Sequence, residues 1–129
     1  MLAVSISCPV FPSEDQERVR QAVLNIFPGT DLILSDGVLS GETDNVDHFS
    51  EQIRRQRILD STRSMLIKGR NGERSTVHLN KQAAYAGKIS FTESRTILGT
   101  IKVIFGSDDI TAFIGSLAPQ TVDGEEVKI

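Results

Sequence analysis

Residues 3–29 read AVSISCPVFPSEDQERVRQAVLNIFPG, and this stretch decides what kind of fold the remainder has to complete. Its first part alternates: Val4, Ile6, Cys8 and Val10 are apolar, while Ala3, Ser5, Ser7 and Pro9 between them are small or polar. A period of two puts the two sets on opposite faces of a pleated strand, so only one face is built for burial. Phe11-Pro12-Ser13 ends the alternation. Ser13 and Gln16 then have capping-box spacing, with Glu14 and Asp15 where the first turn of a helix favours acids. Beyond them Val19, Ala22, Val23, Ile26 and Phe27 fall on one helical face, and Pro28-Gly29 stops the helix. A one-sided strand followed by a one-sided helix asks for a sheet with helices packed on one side.

The same logic extends outward. LILSDGVLSG (Leu32–Gly41) reads as a hairpin turning at Asp36-Gly37, with strands at 32–34 and 38–40. A longer helix is predicted from His48 to Lys68, started by Asn45 or Asp47 and closed by Gly69 and Asn71-Gly72. Strands are predicted over Ser75–Leu79, Lys88–Phe91 and Thr96–Phe105. Between the first two, Asn80 caps a short helix, KQAAYAG, that ends at Gly87. Ser107 caps a last helix with Ile110, Phe113, Ile114 and Leu117 at i, i+3, i+4 and i+7, and Pro119 ends it. These patterns predict one α+β domain over residues 1–129, a two-layer sandwich with helices on one face of a mostly antiparallel sheet. The acidic segment 120–129 is expected to be loosely held.

The chain has 129 residues, 39% of them hydrophobic and 24% charged, which suits one globular domain. No run of 18 apolar residues is present, the opening MLAVSISCPVF lacks a basic region, and the one cysteine excludes an internal disulfide framework. A cytoplasmic protein without membrane contact is the expectation. The net charge of −3 is unevenly distributed. Residues 1–50 carry two arginines against eight acids, and residues 107–129 one lysine against five acids. Residues 51–106 carry eleven basic side chains against four acids, a net of +7. Segregation of this kind points to a basic surface on an acidic protein, unless the segments neutralise one another in the fold.

On a continuous helix over 48–68, Arg54, Arg57, Ser61, Ser64 and Lys68 follow steps of 3, 4, 3 and 4 and form one polar stripe. Arginine forks and serine hydroxyls suit a row of phosphate oxygens. A solvated face, balanced by Glu51 and Asp60 nearby, is the alternative. Ile58 and Met65 lie off the core side of that helix, as scattered apolar residues or as a self-association patch. On the strands, Arg74, Thr76, His78, Lys88, Ser90, Thr92, Thr100 and Lys102 are predicted to face away from the helices, interrupted by Ile104. That face is basic but carries no aromatic side chain for stacking bases, so recognition through shape and backbone is implied. Lys81 opens the short helix at the end where the dipole disfavours a cation, which fits one edge of an anion surface beside Asn80, Gln82 and Lys88. His48 and His78 have no metal-ligand spacing, and no nucleophile, phosphate-loop or paired-carboxylate motif is present. Neither an enzyme nor a cofactor is implied.

VFPSEDQERVRQAVLNIFPG (Val10–Gly29), RRQRILDSTRSMLIKG (Arg54–Gly69), HLNKQAAYAGKISF (His78–Phe91) and LGTIKVIF after it together carry a resemblance covering most of the chain. In these segments the sequence resembles a family of small uncharacterised archaeal proteins related to others described as RNA-binding or predicted exosome-associated. The resemblance implies a fold like that of the large-subunit ribosomal protein that contacts 5S ribosomal RNA, and a homodimer; it brings no catalytic residues. The expected function is non-enzymatic binding of structured RNA through Arg54, Arg57, Ser61, Ser64, Lys68, Asn80, Lys81, Gln82 and Lys88. The alternative is a structural or assembly homodimer whose basic face meets an acidic protein, or its own acidic tail across the dimer.

Overall fold

The computed structural model describes residues 2–92, 99–119, 121–122 and 125–126. Strand β1 (Ala3–Pro9) has the burial that its alternation predicts, with Val4, Ile6 and Cys8 buried and Ser5 and Ser7 half-buried. It is followed by helix α1 (Gln16–Ile26) and the hairpin of β2 (Ile33–Ser35) and β3 (Val38–Thr43). Asp36 and Gly37 both have positive φ, 52° and 76°, as a tight two-residue hairpin turn requires. Helices α2 (Asp47–Arg55) and α3 (Leu59–Lys68) lead into a second hairpin, β4 (Arg70–Asn71) and β5 (Arg74–Leu79). Helix α4 (Lys81–Tyr85), strand β6 (Ile101–Gly106) and helix α5 (Ile110–Leu117) complete the main body. The sheet order is β2-β3-β1-β6-β5-β4, antiparallel throughout.

Leu39, Val77, Leu79, Ile101, Val103 and Phe105 join the buried residues of β1 on one face of this sheet. Five helices and a six-stranded antiparallel sheet, among the described residues, make the α+β two-layer fold. The core is centred on phenylalanines from separate elements. Phe27 and Phe49 stack at 5.5 Å between centroids, and Phe105 lies tilted against Phe49 at 5.6 Å. Phe113 of α5 reaches Phe105 at 5.6 Å, so the end of α1, the first turn of α2, the middle of α5 and the end of β6 meet in one cluster. Aromatic pairs of this geometry each add roughly 0.5–1.5 kcal/mol beyond area burial. Gly69, after α3, has no room for a side chain, because a Cβ there would run into the Thr76 carbonyl oxygen. That close approach lets Thr76 donate its backbone N–H to Gly69 O at 3.0 Å.

Several boundaries differ from the sequence expectation. Asp15, not Ser13, caps α1, accepting from the Glu17 N–H at 2.9 Å, because residues 11–14 close a separate turn. Asp109, not Ser107, caps α5, accepting from the Ala112 N–H. The Lys88–Phe91 segment is no strand; it makes a single antiparallel bridge, Leu79 to Phe91. The strand expected from Thr96 is seen from Ile101, and residues 96–98 lie outside the described residues. Most of the tail also lies outside them; its described part is a two-stranded ladder, β7 (Thr121–Val122) with β8 (Glu125–Glu126).

The largest correction concerns the helix expected over 48–68. It breaks at Gln56–Ile58. Arg57 has φ 57°, its N–H donates to Arg54 O, and the Ile58 N–H reaches back to Ile53 O. This pair of bonds is the usual close of a helix whose next residue is left-handed, with Ile58 packing back toward Ile53. Glycine normally occupies that position; here it is an arginine, which is why the sequence gives no stop signal.

Candidate nucleic-acid interface

The break separates the polar stripe into parts with different fates. Arg54, in the last turn of α2, turns toward the body. Its Nη1 donates to the carbonyl and hydroxyl of Ser50 and to Leu117 O at 3.2 Å, tying α2 to the C-terminal end of α5. A guanidinium at a helix C-terminus complements the carbonyl dipoles there. Arg57 is exposed at the corner, and Ser61, Ser64 and Lys68 are exposed along α3. The continuous row of three cations and two hydroxyls therefore does not form. Ser61, Ser64 and Lys68 keep their common face, because their steps of 3 and 4 lie within one helix.

The LNKQAA segment folds locally as its sequence predicts. Asn80 Oδ1 caps α4 by accepting from the Ala83 N–H at 2.8 Å, and the Asn80 N–H donates to Ser90 O. Asn80 is thus committed to structure, while Gln82 and Lys88 are exposed. Lys81 departs most from expectation: it is buried, 9% exposed. Its Nζ donates to Glu14 Oε1 at 2.9 Å and to Pro9 O at 2.6 Å, and stands 5.3 Å from the centre of the Phe11 ring. The acid absent from the local sequence arrives from the other end of the fold. Lys81 is a clasp between α4 and the β1–α1 turn, so its ammonium is not offered to a phosphate. Beside it the Cys8 thiol is pushed up to about 11, chiefly by burial; Lys81 opposes the shift and Glu14 adds to it.

The open face of the sheet carries the other cations. Arg74 and Lys102 are exposed there, and Thr76, His78 and Ile104 are half-buried. His78 pairs with Lys102 in the β5–β6 register, and its Nδ1 lies 2.9 Å from Thr100 Oγ1. Burial first, and the Lys102 charge second, lower the imidazole's pKa from its usual 6.5. No carboxylate occupies an outward position of β1, β5 or β6, although Glu42 on β3 lies across from Ser5. Thr100 faces outward as predicted but is buried by its bond to His78.

One feature has no counterpart in the sequence pattern. Gln56, at the helix break, clips the 88–91 segment in place: its Oε1 accepts from the Ile89 N–H and its Nε2 donates to Ile89 O, at 2.8 and 2.9 Å. This brings Ile89, Ser90 and Phe91 against α3 and leaves a cleft of about 570 Å³ between them, into which Ser61 and Ser64 face. The segment is held against α3 by these side-chain-to-backbone bonds over 33 residues and against β5 by the Leu79–Phe91 bridge, and bonds of the first kind have no signature in local periodicity.

A UPF0201 protein of Thermococcus onnurineus is 36% identical over 132 residues, covering 97% of this chain and 97% of its own. The chain belongs to the UPF0201 family. A second relative, the UPF0200/UPF0201 protein of Archaeoglobus fulgidus, is 39% identical, but this chain spans only 40% of its length. The crystal structure of the UPF0201 protein from Methanococcus jannaschii superposes with a TM-score of 0.90 at 36% identity, covering 98% of this chain and 99% of that one. A family model described as RNA binding matches residues 3–106 of this UPF0201 chain, which is a member of that family too. Among the described residues no helix is long and apolar enough to cross a membrane.

Proposed function

We propose that this protein is a non-enzymatic binder of structured RNA, such as folded ribosomal RNA, which it holds by the sugar–phosphate backbone. The observation that carries the reading is the arrangement of exposed cations. Arg74 and Lys102 stand on a sheet face whose three neighbouring strands present no outward carboxylate, and Arg57, Lys68 and Lys88 are exposed at the helix break, on α3 and after α4. Hydroxyls accompany them: Ser5, Ser7 and Thr76 on the sheet, Ser61 and Ser64 on α3. Cations interspersed with neutral donors, and without outward aromatics on β5 and β6, suit phosphates and ribose hydroxyls more than stacked bases. The match to a family described as RNA binding supports the same reading.

Filter binding to transfer or ribosomal RNA across a salt series tests it. Affinity should fall steeply with salt, and Arg57→Glu/Lys88→Glu/Lys102→Glu should flatten the log–log slope by roughly 0.7–0.9 for each phosphate the variant no longer neutralises. A flat slope for the wild type, or unchanged binding by the variant, overturns the assignment.

A second reading, an assembly homodimer, is favoured by the sheet edge at β2. Ile33 is 69% exposed there, beside exposed Leu34 and Val38. The unpaired backbone N–H and C=O groups of an apolar edge strand are a template for pairing with another chain. The self-association expected of Ile58 and Met65 has less support, since both are half-buried against the core.

A further inference from the structure

The cleft between α3 and the segment clipped by Gln56 differs in kind from the rest of the basic surface. Its walls are apolar: Ile58 and Met65 from the helix, Ile89 and Phe91 from the facing segment. Three hydroxyls, of Ser61, Ser64 and Ser90, stand among them, together with the Asp60 carboxylate. At about 570 Å³ it lies within the roughly 300–1,000 Å³ span of small-ligand clefts. Two exposed cations flank it in sequence. Arg57 immediately precedes Ile58 and Lys88 immediately precedes Ile89, and both are exposed.

A carboxylate in the lining disfavours a phosphate inside, and the apolar walls offer it no compensation. A flat aromatic group with a polar edge is different. Phe91 and Met65 supply ring and thioether contacts to its faces. Hydroxyls donate or accept as required, so they match the edge of any base. The flanking cations would meet the charge tethered to that group. Arg57 holds its station in the left-handed region, which is unfavourable for a bulky side chain and persists where the surroundings enforce it.

We propose that this cleft is a nucleotide subsite that takes one unpaired base of the RNA, with its phosphates held at the rim by Arg57 and Lys88. The inference rests on the RNA-binding reading and deepens it: contacts on the open sheet face would recognise backbone, and this cleft would recognise a bulged or looped nucleotide.

Amide chemical shifts during titration with AMP, GMP, CMP and UMP test the subsite without RNA, with ribose 5-phosphate as control. The nucleotides should move residues 58–65 and 89–91 at millimolar concentration, and ribose 5-phosphate should leave the cleft amides unmoved. Equal shifts with ribose 5-phosphate, or none with any nucleotide, overturn the subsite. Ser64→Trp fills the cleft from an exposed position. It should weaken binding to a hairpin with an unpaired loop roughly tenfold, to the level of a paired duplex. Retained preference for the loop overturns the proposal, as does a dimer that Ser64→Trp disrupts, which would name a second copy as occupant. Nucleotide shifts in a protein with no affinity for RNA would overturn the RNA reading while leaving the subsite standing.

Discussion

Glu14 and Lys81 lie 67 residues apart, yet their side chains form a pair only 12% and 9% exposed. At the scale of the residue this is the contact whose removal should matter most. Deleting one partner leaves a desolvated charge, so Lys81→Met or Glu14→Gln should each lower stability by about 3 kcal/mol in urea denaturation. Glu14→Leu/Lys81→Met should recover most of that loss, because neither charge is then stranded. Two equal single-variant effects that simply add would refute the pairing argument. His78 makes the complementary test. Its pKa is lower in the folded protein than the ordinary 6.5, so the native state binds fewer protons than the unfolded chain in the window below that value. Stability contributed by the neutral imidazole is complete above pH 6.5 and declines as pH falls through it toward the lowered value. Thermal melting between about pH 7.5 and 5 should show this decline, and His78→Asn should reduce it; an identical profile in the variant would assign the decline elsewhere. Lys81 was legible as an anomaly at a helix start, but its solution was not, because the balancing carboxylate comes from a distant turn.

Elements show what periodicity transmits and what it misses. Val19, Ala22, Val23 and Ile26, and likewise Ile110, Ile114 and Leu117, are buried as their spacing requires. The Asp36-Gly37 turn and the Asn80 cap also form as read, since their chemistry is local. The α2–α3 break escaped because Arg57 occupies a left-handed position without glycine. Arg57→Gly should remove a penalty of order 1 kcal/mol, partly offset by the entropy of glycine in the unfolded chain. The expected result is a small rise in melting temperature accompanied by weaker RNA binding. A fall in melting temperature would mean that the arginine side chain stabilises the corner by contacts that outweigh its backbone.

For the whole molecule, the two-layer architecture was readable because β1, β5, β6, α1 and α5 are each apolar on one side only, and few arrangements bury all such faces at once. The basic surface was readable as a charge excess over residues 51–106, but not as geometry. Folding withdraws Arg54 and Lys81 from the exposed cations and leaves Arg74 and Lys102 on the open face of the sheet. Edge strand β2 sets the remaining question of assembly. Light scattering over a concentration series should show a dimer, and Ile33→Glu should render it monomeric with unchanged circular dichroism. A wild type that stays monomeric at high concentration would rule out pairing through this edge.

Cys8 has a practical consequence. It is the sole cysteine, lies on a strand paired on both sides, and carries a thiol raised to about 11. While β1 is in place, the sulfur is both shielded and protonated at neutral pH, and so nearly inert toward alkylating reagents. Once the strand separates, the group reverts to an ordinary reactive thiol. The native sequence thus contains a single-site chemical clock for opening at the centre of the sheet. The rate at which it is labelled, with and without RNA, would measure how firmly an occupied surface holds the middle of the fold closed.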